Sequence, residues 1–141
     1  MHTLDLAILK TIIYGDVFNF PMTTEEIHHF LIHDTPVDYL TIEQQLQSSE
    51  SLKQKLQSDG TYYALKHRSS LLELRKEREA MMTALSPRMT FYGRILAYFP
   101  FVEFVGITGA LAMHNPSTAN DDLDYFVITR PGRVWLARAS I

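Results

Sequence analysis

Apolar residues recur along the first third of the chain at intervals of three and four, the spacing of one face of a helix. Leu4, Ile8, Leu9, Ile12 and Ile13 predict a helix over residues 3–14, and the segment 15–21 interrupts it. Thr23 followed three positions later by Glu26 has the form of a capping box, opening a second helix through Ile27, Phe30 and Leu31. Thr35-Pro36 supplies an N-cap with proline in the first helical position, so a third helix is expected through Val37 and Leu40 to about Leu46. The pattern then shortens into two runs of strand character, 52–56 and 61–65, joined by Ser58-Asp59-Gly60. Asp-Gly between such runs predicts a hairpin.

Helical spacing returns over 69–85, with Leu71, Leu74, Met81 and Leu85 as the apolar side. Ser86-Pro87 is expected to end that helix and start another, through Tyr92, Ile95 and Leu96, that stops near Pro100. The remainder reads as a strand over 101–107, a short helical turn over 109–113 and a polar loop over 115–120. A second strand over 123–129 and a helix from 133 to 141 follow. The predicted class is α+β. Three helices followed by a hairpin is the order of a winged helix-turn-helix, so residues 1–67 are expected to form a winged-helix-like module and 68–99 a helical connector. Residues 100–141 would form a second module.

Composition narrows the function only slightly. The chain has 141 residues, 46% hydrophobic and 21% charged, with a net charge of -3. No global basic field recruits nucleic acid. Residues 1–70 carry five basic and nine acidic side chains, and 71–141 carry eight and seven, so an anionic ligand is expected at the second part. There is no cysteine, hence no disulfide framework and no thiolate metal site. The run Leu6-Ala7-Ile8-Leu9 lacks a basic flank and is too short for a signal peptide or a membrane span. A soluble cytoplasmic protein without membrane association is the expectation.

The third helix, over 36–48, has no Lys or Arg and contains Asp38 and Glu43. Gln44, Gln45 and Gln47 have the chemistry to read bases, and Lys53, Lys55, Lys66 and Arg68 to meet a phosphate backbone. Nine acids against five bases oppose counterion release, so duplex DNA is possible but not favoured, and a protein-contact or packing role is preferred. His28, His29 and His33 share the expected second helix, and His29 and His33 have the spacing of a zinc pair. With no Cys and no third ligand, they do not make a zinc site.

The stretch Asp121-Asp122-Leu123-Asp124 runs directly into the apolar Tyr125-Phe126-Val127-Ile128. Residues two apart on a strand share a face, so Asp122 and Asp124 would project side by side while Leu123 turns into packing. Parallel carboxylates repel and raise one another's pKa unless a cation neutralises them, and Mg²⁺ is the natural partner. Thirteen positions before Asp122, Gly109 opens the short helical turn, where glycine lets a phosphate approach the backbone. Arg130 and Arg133 follow the acidic strand as possible phosphate contacts, though a solvated helix start is the preferred reading. His114 and Asn115 lie near the turn as loop residues.

Thr108-Gly109-Ala110 and Asp122-Leu123-Asp124 together resemble the signature of the nucleotidyltransferase superfamily with a DNA polymerase β-like palm: a strand, a small-residue turn opening a helix, then Asp-x-Asp on the next strand. The resemblance covers about residues 100–141. It implies the opening portion of a palm, with Asp122 and Asp124 as catalytic metal ligands for Mg²⁺ (Mn²⁺ as an alternative) and Gly109 and Ala110 lining the triphosphate turn. The implied activity is Mg²⁺-dependent transfer of a nucleoside monophosphate from a nucleoside triphosphate to an acceptor that the residues do not choose. The alternative is a winged-helix DNA-binding regulator or protein-interaction adaptor, with a structural or nucleotide-sensing palm segment.

Two departures qualify the resemblance. Ala110 stands where the family commonly has serine, and the family's third carboxylate belongs to a later strand that does not follow Arg130 here. The run 135–141 has no cap, glycine or proline to end it, so the palm is expected to be truncated. Residues 1–141 are then expected to bind Mg-nucleotide at most, without turnover.

Overall fold

The structure is a computed structural model and describes residues 3–118 and 121–140. Ala119 and Asn120 of the expected polar loop, and Ile141 of the expected last helix, lie outside the described residues. The chain is mixed α+β and divides into two compact units, Met1–Lys76 and Glu77–Ile141.

The first unit begins with α1 (Thr3–Asp16), whose buried side is Ala7, Ile8, Leu9 and Ile12. A two-residue strand β1 (Met22–Thr23) then runs into α2 (Thr24–His29). The capping box read from Thr23 and Glu26 is present. Thr23 Oγ1 accepts from the Glu26 N–H at 3.1 Å, and Glu26 Oε2 accepts from the Thr23 N–H at 2.9 Å. α2 stops at His29, so His33 is not on it, and the helical pairing expected for His29 and His33 does not exist. His33 Nδ1 instead closes a local loop on Thr35.

The third helix, α3 (Tyr39–Ser48), starts three residues later than Thr35-Pro36 predicts. Its buried residues are Ile42 and Leu46, while Leu40 is exposed. Residues 52–55, expected as strand, belong to a fourth helix, α4 (Glu50–Lys55). The reason is local. Ser49 caps it by accepting from the Leu52 N–H at 3.3 Å, Glu50 favours the first turn, and Lys53 and Lys55 favour the last. The hairpin is shorter than expected, β2 (Leu56–Ser58) and β3 (Tyr62–Leu65). β1 adds to the other edge of β3, giving the antiparallel order β1-β3-β2 with Met22 opposite Tyr63 and Leu56 opposite Leu65. Ile8, Ile12, Ile27, Ile42, Leu46 and Leu52 gather in one core beneath this sheet, each worth roughly 1.5–3 kcal/mol in burial.

A short 3₁₀ turn (Lys66–Arg68) leads to α5 (Ser70–Ala97). Its first residues close the first unit. Arg75 is only 2% exposed: its guanidinium stacks 3.9 Å over the Phe20 ring and donates to Glu26 Oε1 at 2.8 Å. Glu26 therefore serves the α2 cap with one oxygen and Arg75 with the other. Beside it, Lys76 Nζ reaches Asp59 Oδ2 at 2.8 Å in the hairpin turn. Asp59 Oδ1 accepts from the Thr61 and Tyr62 N–H groups, and Gly60 takes the positive φ, +97°, that the turn requires.

α5 is one helix with Pro87 inside it, where two had been expected. The proline removes a single helical donor, whereas the apolar stripe continues through it. Met82, Leu85 and Met89 all pack into one cluster with Leu111, Ile107 and Leu123. Packing outweighs the local signal. Of the predicted stripe Leu71 and Leu85 are buried and Leu74 and Met81 half-buried; Leu72, Arg75 and Met82 are buried beside them, and Tyr92 and Ile95 are exposed.

The rest of the second unit comprises β4 (Val102–Ile107), the single turn α6 (Gly109–Ala112), β5 (Tyr125–Thr129) and α7 (Val134–Ser140). β4 and β5 form an antiparallel pair with Val105 opposite Val127 and Ile107 opposite Tyr125; the register slips between Val102 and Phe104. Ile107 lies against the α5 cluster, and the Tyr125 hydroxyl donates to the Met89 carbonyl at 2.6 Å. Phe104, Phe126 and Ile128 are exposed on the opposite face, where Phe104 leans over Gly106 so closely that a Cβ there would meet its ring at 2.9 Å. No helix among the described residues is long and apolar enough to cross a membrane.

Candidate functional site

The three aspartates have separate fates. Asp121 is consumed by its own loop: Oδ1 accepts from the Thr118 N–H and hydroxyl, and Oδ2 from the Ser117 N–H. The Thr118 hydroxyl, with help from these amides, holds the Asp121 carboxyl below the usual carboxylate range. Asp122 and Asp124 are exposed, and no side-chain hydrogen bond or ion pair engages either among the described residues. Leu123 between them is half-buried and joins the cluster of Met82, Leu85 and Leu111. All four residues precede the strand, since β5 begins only at Tyr125, two residues later than expected. The alternation of exposed and half-buried positions nevertheless runs unbroken from Asp122 to Thr129, with Asp122, Asp124, Phe126 and Ile128 the exposed members.

The glycine turn meets the acidic stretch directly. The Thr108 N–H donates to the Asp124 carbonyl at 2.9 Å, fastening the end of β4 to the start of β5. Gly109 then takes φ +69°, a left-handed conformation that lets α6 turn off the strand. A Cβ on Gly109 would lie 2.9 Å from Asp124 Oδ2, so a free carboxylate stands against a bare stretch of backbone. Ala110 follows as an exposed residue of α6. Leu111, almost fully buried, anchors the turn into the α5 cluster.

Other residues named from sequence are tied elsewhere. His114, at φ +52°, lies 3.6 Å from Glu79, and Asn115 accepts from Arg78 at 2.5 Å, so both pin the turn's exit to α5. Arg130 and Arg133 follow β5 at the end away from Asp124. A strand of that length separates them from it by roughly 20 Å, so they do not serve the same phosphate. Arg130 reaches Glu103 at 3.6 Å, and Arg133 stacks on the Phe101 ring at 5.3 Å. In the first unit, Gln45 donates to the buried Asp5 at 2.6 Å and so packs inward, leaving Gln44 and Gln47 as the unengaged glutamines of α3.

Asp122 and Asp124 offer hard oxygen donors with no competing partner among the described residues, the chemistry that Mg²⁺ or Mn²⁺ takes. No group of three His, Cys, Asp or Glu side chains able to hold a metal occurs among the described residues. The contact between Gly109 and Asp124 is the feature that sequence reasoning missed, because spacing shows that two segments are near in register but not that a glycine hydrogen faces a carboxylate. No family model, no curated protein and no solved structure matches the chain.

Proposed function

We propose that the second unit is the nucleotide-binding part of a Mg²⁺-dependent nucleotidyltransferase of the polymerase β-like kind. The observation that carries this reading is the unengaged Asp124 carboxylate set against Gly109 at φ +69°, with Asp122 exposed two residues before it. Asp122 and Asp124 would hold Mg²⁺, or Mn²⁺, which when bound neutralises triphosphate charge. Gly109, lacking a side chain, makes room for the Asp124 carboxylate at the turn, so a phosphate would approach that backbone only with the cation neutralising Asp124. Ala110 contributes backbone but no hydroxyl donor. In the transfer itself an acceptor oxygen bonds to the α-phosphorus, the α–β anhydride breaks and pyrophosphate leaves. The chain's own share is to hold the triphosphate in line for that displacement.

The first unit is read as a winged helix, supported by the order α1-β1-α2-α3 and the β2–β3 wing. Its α3 has no basic residue and spends Gln45 on Asp5, which favours protein contact over duplex reading. A cytoplasmic location belongs to the same proposal. Calorimetric titration of Mg²⁺ with each nucleoside triphosphate tests the site: Asp122→Ala and Asp124→Ala are each expected to weaken binding at least tenfold without lowering the melting temperature. Equal affinity in wild type and both variants refutes the assignment.

A further inference from the structure

A groove of about 490 Å³ opens in the first unit between α1, the end of α4 and the residues that follow β3. Its floor is Leu9, Ile13 and Leu65, and Lys55, Lys66 and His67 line its wall. No acidic side chain lines it, although the first seventy residues carry nine acids against five bases. The neighbouring bases of α4 and the 3₁₀ turn are already spent, Lys53 on Glu50 at 3.0 Å and Arg68 on Asp16 at 3.2 Å. Lys55 and Lys66 have no carboxylate partner among the described residues. Beyond Ile13, itself 46% exposed, the end of α1 and the residue after it carry two more exposed apolar side chains, Tyr14 at 61% and Val17 at 72%. Unpaired lysines around an exposed apolar strip, in a module otherwise acidic, are electrostatically and sterically one-sided.

We infer that this groove is a docking site for an acidic amphipathic helix of a partner protein, whose apolar side chains enter over Ile13 and Leu65 while its carboxylates meet Lys55 and Lys66. A helix laid in a groove presents apolar residues at i, i+3 or i+4 and i+7, and flanking acids supply the register. Duplex DNA fits less well. Phosphates gain nothing from a carbon floor, and the module's net negative charge repels a polyanion.

The test uses the whole 141-residue chain and three fluorescently labelled probes. The first is a Leu/Glu amphipathic peptide about four helical turns long, the second its counterpart with every Glu replaced by Lys, and the third a short DNA duplex. Anisotropy titrations are run on wild type, on Lys55→Glu with Lys66→Glu, on Ile13→Asp, and on Lys55→Arg with Lys66→Arg. All three positions are exposed, and melting curves check that each variant is folded. The expected result is that the Leu/Glu peptide binds at least tenfold tighter than the other two probes. That advantage should disappear in the Glu and Asp variants and survive in the Arg variant, with amide shifts confined to the groove residues. Equal binding of the acidic and basic peptides, retention of binding in Lys55→Glu with Lys66→Glu, or a preference for the duplex each overturns the inference.

Discussion

Gly109→Ala separates two effects that meet at one atom. The first is conformational: at φ +69° an L residue costs about 1–2 kcal/mol relative to the right-handed region. The second is steric, since the new Cβ would lie 2.9 Å from Asp124 Oδ2. Asp124 is exposed and its carboxylate is the end of a rotatable side chain, so a rotamer change relieves the contact for roughly 0.5–1 kcal/mol. The unfolded chain also loses some freedom with alanine, returning about 0.4–1 kcal/mol. The conformational effect therefore decides the sign, and the expected net loss is about 1 kcal/mol. In a domain of this size that is a melting shift of roughly 4–8 °C, read from unfolding of the second unit and from hydrogen exchange of the β4 and β5 amides. The same substitution in an Asp124→Ala background removes the contact but leaves the φ penalty, so most of the loss should persist there. If Gly109→Ala melts like wild type, or its effect vanishes in the Asp124→Ala background, the left-handed turn is not what the glycine provides.

Glu26→Ala removes a cap oxygen and the partner of a buried guanidinium together, and is expected to destabilise the first unit by about 2–4 kcal/mol in urea titrations. Glu26→Gln should recover part of that by keeping the cap. Lys76 beside Asp59, with the Tyr62 and Thr61 amides, lowers its carboxyl from the ordinary 3.8 to about 2. A depressed folded-state pKa contributes stability that is present above the unfolded value and is lost as pH falls through about 2. Acid titrations of Asp59→Asn should therefore lack the part of the wild-type loss between about pH 4 and pH 2. Pro87→Ala restores an N–H inside a continuous helix and should raise the melting temperature of the second unit, on the order of 1–3 kcal/mol by the usual interior penalty. A lower melting temperature for Pro87→Ala would mean that the proline sets a bend the packing needs.

Two features closed within four residues are legible in the sequence, and two that depend on packing are not. Thr23 and Glu26 satisfy each other, so the capping box appears at the predicted residues. Asp59-Gly60 likewise forms its turn because the side chain and the φ are both local. Pro87 misled because a proline preceded by serine normally opens a helix, whereas here Met82, Leu85 and Met89 keep one stripe against Leu111 and Ile107 across it. Leu52 to Lys55 read as strand because the signal that makes them helical, the Ser49 cap on the Leu52 N–H, lies just before the apolar run. Arg75 escaped notice altogether, since a charged residue in a helical stripe reads as solvent-facing until Phe20 and Glu26 are found around it. At the candidate site, spacing indicated Gly109, Ala110, Asp122 and Asp124. It set Asp122 and Asp124 apart from Asp121, but not for the reason the structure shows, that Asp121 is spent on Ser117 and Thr118 of its own loop.

The burial of Arg75 bears on where the chain can be cut. A fragment ending with the hairpin, near residue 67, would lack both Arg75 and Lys76. Phe20 and Tyr62 would lose the guanidinium that covers them, Glu26 would keep only its cap, and the Asp59 turn would lose its cation. The smallest piece with a native-like surface therefore reaches at least to Lys76, carrying the first two turns of α5 as a plug. A protease acting on the intact chain should leave that segment attached to the first unit, and recombinant fragments ending before it should be poorly soluble however complete their sheet.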